Sequence, residues 1–147
     1  MTARAEPDGL EGVLETVLYH EPGDADAMLD LYRDLLGLPV VAEWDDGTAL
    51  RIGAGVVLLF DRVKLARRDG PIADHATTGS SHVAFLVSPE RYQGWRSRLE
   101  EAGVDLVHEQ EWGEGRRSLY FRDPADNLIE IVGGDIWPPA PAESSGE

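Results

Sequence analysis

The chain of 147 residues predicts an α+β fold in which two βαβββ modules pair into a curved mixed sheet around a central cleft, with the helices outside. Three observations predict it. Strand-like apolar runs open both halves, Leu14 to Tyr19 and His82 to Val87. One amphipathic stripe ending in glycine follows each, and three shorter apolar or alternating runs follow each stripe. The repeat, more than any single segment, carries the prediction.

In the first half Asp24 is placed to cap a helix whose stripe is Ala27, Met28, Leu31, Tyr32, Leu35 and Leu36, ending at Gly37. In the second, Ser88 caps, Pro89 fits the first turn, and Tyr92, Trp95, Leu99 and Ala102 form the stripe before Gly103. The strands then expected are Val40 to Trp44, Thr48 to Ile52 and Val56 to Phe60, matched by Val104 to Trp112, Arg117 to Arg122 and Leu128 to Val132. Turn chemistry separates them at Asp45-Asp46-Gly47, Gly53-Ala54-Gly55, Gly113-Glu114-Gly115 and Asp123-Pro124-Ala125-Asp126-Asn127. Helices with one apolar stripe each cover one face of a sheet, so the opposite face is the expected place for a ligand.

The expected organisation is a mobile tail at 1–10, a single domain at 11–137 holding modules 11–62 and 80–134, and a disordered tail at 138–147 rich in Pro, Ser and Glu. A linker containing Gly70-Pro71 and Thr77-Thr78-Gly79 joins the modules. With 42% hydrophobic and 28% charged residues the composition is that of a globular protein, and no run approaches the roughly 18 apolar residues of a membrane span. Lys and Arg total 13 against 28 Asp and Glu, a net charge of -15 that repels phosphate backbones and anionic lipid, so neither nucleic acid nor membrane is expected as a partner. The sequence has no cysteine and its start lacks a basic-then-apolar leader pattern, from which a cytoplasmic location is expected.

Three residues stand out against that background. Glu15 and His82 occupy the same position of the two repeats, and Glu130 sits between Ile129 and Ile131 in the last strand. A carboxylate or imidazole within an apolar strand is costly unless it has a partner. Two carboxylates and a neutral imidazole suit a divalent ion, whose charge their summed charge of about minus two balances, and three protein donors leave coordination positions open for substrate. Glu15 and Glu130 are also candidate proton carriers.

These residues, with Leu31-Tyr32-Arg33-Asp34-Leu35-Leu36-Gly37-Leu38, Ser81-His82-Val83-Ala84-Phe85 and Arg117 to Pro124 running on to Glu130, resemble the glyoxalase/bleomycin-resistance/dioxygenase proteins, the vicinal-oxygen-chelate superfamily. The resemblance spans nearly all of Leu14 to Trp137 and implies metal ligands at the first-strand and last-strand positions of each module, here Glu15, Leu59, His82 and Glu130. Leucine cannot bind a metal, which leaves a three-ligand set and weakens a methylglyoxal-detoxifying reading. Asp61, two residues beyond, reads as a turn residue. By the same resemblance Ser118 and Tyr120 face substrate, with Arg122 beside them by strand parity. Trp44 and Trp112 end equivalent strands and either wall a cavity or pack ordinarily. Arg116 and Arg117 are candidates for orienting an anion, and His75 for a lid, with solvated surface positions as the alternative.

The implied function is a lyase, isomerase or dioxygenase that binds one divalent ion, Zn, Ni, Mn or Fe, and a small oxygen-rich molecule. The alternative is a metal-free resistance protein that sequesters a drug, its acidic charge and tryptophans favouring a flat cation. A homodimer is implied by the resemblance.

Overall fold

A computed structural model describes residues 10–73 and 75–138; the tails expected at 1–10 and 138–147 fall, but for Leu10 and Pro138, outside the described residues. Two compact units divide at Gly79/Ser80. Each contains one four-stranded mixed sheet, and the βαβββ formula holds in both.

In the first unit β1 (Glu15–His20) lies parallel to β4 (Gly55–Asp61), which is followed by β3 (Gly47–Ile52) and β2 (Val40–Trp44), both antiparallel to their neighbours. Register partners share a face, so Leu18, Val57, Leu59 and Leu50 line up on one side. That side is buried beneath Met28, Leu31, Tyr32 and Leu36, none of them more than 9% exposed. The helical stripe is therefore the expected one. Its backbone is not a single regular helix: α1 (Ala25–Leu29) passes into a π-helical stretch at Asp30–Leu35, where Leu36 N–H reaches back five residues to the Leu31 carbonyl at 2.8 Å. Asp24 is at the N-cap but makes no side-chain cap, because its backbone is already in the helical region and its carbonyl receives Met28 N–H at 2.9 Å.

The opposite face of this sheet departs from expectation. Periodicity left the linker without structure, yet α2 (Arg62–Ala66) follows β4 directly. The Asp61 carboxylate caps it, accepting from Val63 N–H at 2.9 Å and Lys64 N–H at 3.0 Å. Leu65, 4% exposed, packs against Ala49, Leu58 and Phe60, with Val17, Tyr19 and Ala76 around them. The face that carries Glu15 is thus closed over at its Tyr19 end rather than left open.

In the second unit β5 (His82–Val87) lies parallel to β8 (Leu128–Gly133), followed by β7 (Arg116–Arg122) and β6 (His108–Gly113), again antiparallel. Ile129, Ile131, Leu119 and Phe121 face Tyr92 and Leu99 of α3 (Tyr92–Glu101), all 2% exposed or less. Ser88 and Pro89 start the helical segment as a 3₁₀ turn over Pro89–Arg91, without a side-chain cap. Gly37 and Gly103 end their helices with φ of 77° and 79°, a conformation that suits glycine. The strand expected from Val104 begins only at His108, because pairing with β7 starts where Val107 N–H meets the Tyr120 carbonyl at 2.8 Å.

Replacing Leu65 by Ala removes the side chain with which α2 seals the first sheet, and urea unfolding should show a loss of about 2–4 kcal/mol. An unchanged midpoint would mean that α2 does not pack as described.

Candidate functional site

The site is read most directly in the second unit, on the sheet face away from α3. Register sets its rows: His82, Leu128 and Arg122 lie side by side, as do Ala84, Glu130, Tyr120 and His108, and then Leu86, Val132, Ser118 and Gln110. Five of the sequence-predicted residues, His82, Glu130, Ser118, Tyr120 and Arg122, therefore share one face of one sheet. The sixth, Trp112, joins them through its indole N–H, which donates to Ser118 Oγ at 2.8 Å.

His82 and Glu130 form the centre. His82 Nδ1 lies 2.8 Å from the Leu128 carbonyl. A carbonyl accepts only, so Nδ1 carries the proton and the neutral ring presents the Nε2 lone pair. That nitrogen lies 3.2 Å from Glu130 Oε1, on a side chain only 8% exposed. Two acceptors that close need a proton or a cation between or beside them. A ring nitrogen oriented by a carbonyl, facing a carboxylate, is a donor pair that fits a divalent ion. Among the described residues no three His, Cys, Asp or Glu side chains are grouped for a metal.

Tyr120 stacks beside this pair, its ring 6.4 Å from that of His82 at an interplanar angle of 24°. Burial raises the phenol's pKa, and the charge of Glu130 and a hydrogen bond to it raise it further, while a hydrogen bond with Ser118 acts the other way. On the far side His108 lies 5.7 Å from the Tyr120 ring. Sequence reasoning missed His108, although strand parity with Gln110 and Trp112 puts it on the site face. A cavity of about 420 Å³ runs from His82 and Glu130 past Ala84, Leu86 and Val132 to Trp137.

Other expectations are corrected. Arg117 points to the opposite face, its guanidinium 4.4 Å above the Tyr92 ring, because it alternates with Ser118 along β7. Burial pushes the Tyr92 phenol up to about 12, with Glu109 adding to the shift. Glu109 itself is held below the usual carboxylate range by its hydrogen bonds with Arg96. Arg116 braces the β6–β7 turn, donating to the Gly113 carbonyl at 3.4 Å and the Asp135 carbonyl at 3.2 Å. Arg122 stays on the site face but donates to Ser80 Oγ at 3.1 Å and the Asp126 carbonyl at 3.2 Å.

In the first unit Glu15 is exposed and pairs in register with Val56, as His82 pairs with Leu128. Glu130 lies two residues beyond Leu128, so its counterpart is Leu58, two beyond Val56, and not Leu59. Leu59 faces the helices; the conclusion that leucine fills the fourth position stands, one residue earlier. Trp44 stacks on Phe60 at 6.2 Å, and His75 lies edge-on to the same ring at 5.7 Å. The Tyr19 hydroxyl donates to the His75 carbonyl at 2.7 Å.

A buried turn aligns β5 with β8. Asn127, 1% exposed, accepts from Ser81 N–H at 2.9 Å and donates to Asp123 Oδ2 at 2.8 Å. Asp123 Oδ1 in turn accepts from Ala125 and Asn127 N–H groups at 2.8 and 2.9 Å. Leu128 N–H then meets the Ser81 carbonyl at 2.8 Å, which delivers the Leu128 carbonyl to His82.

The chain belongs to the Glyoxalase/Bleomycin resistance protein/Dioxygenase superfamily, whose family model matches residues 22–131. Among its relatives is the glutathione transferase FosA of Serratia marcescens, 33% identical over 114 residues, covering 77% of this chain and 75% of that protein. The metallothiol transferase FosB of Staphylococcus haemolyticus is 21% identical, covering 74% of each. The crystal structure of lactoylglutathione lyase from Agrobacterium tumefaciens superposes with a TM-score of 0.80 at 32% identity, covering 87% of this chain and 97% of that one.

Asn127→Ala strands Ser81 N–H and Asp123 Oδ2, and thermal or urea unfolding should record a loss of about 1–3 kcal/mol. A loss below about 0.5 kcal/mol, the range of ordinary surface changes, would contradict this role for the turn.

Proposed function

We propose that the protein is a metal-dependent enzyme acting on a small oxygen-rich molecule, with glutathione or another small thiol as the co-reactant class. The observation that carries the proposal is the His82 Nε2 to Glu130 Oε1 contact of 3.2 Å, with Nδ1 already committed to the Leu128 carbonyl. The thiol class follows from the names of the two relatives at 32 and 33% identity, both of which refer to glutathione.

His82 and Glu130 are the proposed ligands of one divalent ion, and Glu15, the counterpart of His82 in the first module, is the proposed third. A divalent ion held there supplies Lewis-acid polarisation of adjacent substrate oxygens. The chain's own residues do the rest. The Leu128 carbonyl keeps His82 in one tautomer, so the imidazole serves as a ligand and does not move a proton. Tyr120, with its raised phenol pKa, stays protonated and donates toward the centre. Glu15 and Glu130 are the candidate proton carriers, being the carboxylates of the set. The apolar wall from Ala84 to Trp137 excludes water from the reacting end of the cavity. A homodimer is the proposed assembly.

Protein purified without added metal and then loaded with zinc should bind about one ion per chain, and a chelator should lower its melting temperature, since a ligand of the folded state stabilises by mass action. His82→Ala should abolish both effects. No metal uptake and no chelator effect would overturn the proposal and favour the sequestering alternative. That alternative is scored by quenching of tryptophan fluorescence with flat cationic drugs.

A further inference from the structure

We infer that Trp112 is a positioning residue, whose indole N–H holds the Ser118 hydroxyl so that it and Tyr120 fix the direction of the Glu130 carboxylate. The consequence for metal binding rests on the function proposed above; the hydrogen-bond chain itself does not.

The argument begins with a bulge. Glu111 pairs with Arg117 and Gly113 with Arg116, so Trp112 is the extra residue of β6, without a cross-strand partner of its own. Bulges of this kind re-aim a side chain. Here the indole is 43% exposed, yet its single N–H is turned inward onto Ser118 Oγ at 2.8 Å. A tryptophan serving only as a cavity wall has no need of that contact.

Polarity then gives the chain a direction. The indole nitrogen is a donor only and a carboxylate an acceptor only. Ser118 is 0% exposed, so its hydroxyl proton must find a protein partner. With the indole occupying an oxygen lone pair, that proton is free to point along the face to Tyr120. Ser118 and Tyr120 share the face two residues apart on β7, and Tyr120 is the register partner of Glu130. The phenol interacts with both, as the opposing effects of Ser118 and Glu130 on its ionisation record. Its proton therefore goes to Glu130, whose Oε1 stands 3.2 Å from His82 Nε2. Donors run from Trp112 to the carboxylate without reversal, and the far end of the chain is the site's negative charge.

The test uses the full-length, metal-free protein labelled with ¹⁵N-tryptophan, whose 4 indole signals are assigned with Trp112→Phe and Trp95→Phe. The Trp112 indole proton should move upfield in Ser118→Ala and should also shift in Tyr120→Phe, while the Trp95 signal stays in place. Zinc affinity, read by competition with a chromophoric chelator, should fall about tenfold in Trp112→Phe and in Tyr120→Phe, and no further in the double variant. A structural defect would instead multiply the two losses. An unmoved Trp112 indole signal in both Ser118→Ala and Tyr120→Phe, or multiplied losses in the double variant, overturns the inference. Should the parent protein bind no zinc, the metal reading fails and the indole signal alone decides the chain. If Trp112→Phe does not fold, Tyr120→Phe read on the Trp112 indole decides.

Discussion

The hydrogen bond from His82 Nδ1 to the Leu128 carbonyl, 2.8 Å long, organises the site. It settles which imidazole nitrogen carries the proton, and so leaves the other facing the Glu130 carboxylate as a lone pair. The bond exists because β5 and β8 run parallel with His82 opposite Leu128. That register in turn is pinned from outside the ladder by Asn127, which ties the residue before His82 to the turn before Leu128. A turn that looks like punctuation in the sequence therefore sets the chemistry of a residue on a different strand. Buried polar groups with every bond satisfied specify geometry in this way, and among the described residues no buried side-chain nitrogen or oxygen lacks a partner.

The repeat was legible because both halves obey the same two periodicities, and the structure returns two sheets with the same strand order. Face assignments within the second unit followed from parity alone: Ser118, Tyr120 and Arg122 alternate with Arg117, Leu119 and Phe121. The same rule, applied to β6, would have found His108, and applied to β7 it removes Arg117 from the site. Less of the first unit was legible. Leu59 was assigned by sequence position in the last strand, whereas the pairing of β1 with β4 makes Leu58 the counterpart of Glu130. Counting along a strand cannot supply register; only the partner strand does.

The helix α2 was missed for a related reason. Five residues are too few to show a periodicity, and the signal lay in the Asp61 cap and in Leu65, which acquires meaning only against Ala49, Leu58 and Phe60. Likewise the helical stripe of the first module was correct in composition but not in backbone, since a π-helical turn keeps Leu31, Tyr32 and Leu36 on the sheet while changing the bonding beneath them. Trp112 shows the limit most clearly. Its place beside Ser118 comes from a bulge, and a bulge is a relation between two strands that neither sequence run discloses.

The central claim is that His82 and Glu130 together hold a divalent ion. Anomalous diffraction from crystals of the zinc-loaded protein, collected on either side of the zinc edge, tests it most directly. The account predicts one ion within about 2.0–2.2 Å of His82 Nε2 and of a Glu130 carboxylate oxygen, with Nδ1 still bonded to the Leu128 carbonyl. An ion elsewhere, or no ion and a direct His82 to Glu130 hydrogen bond, would contradict it.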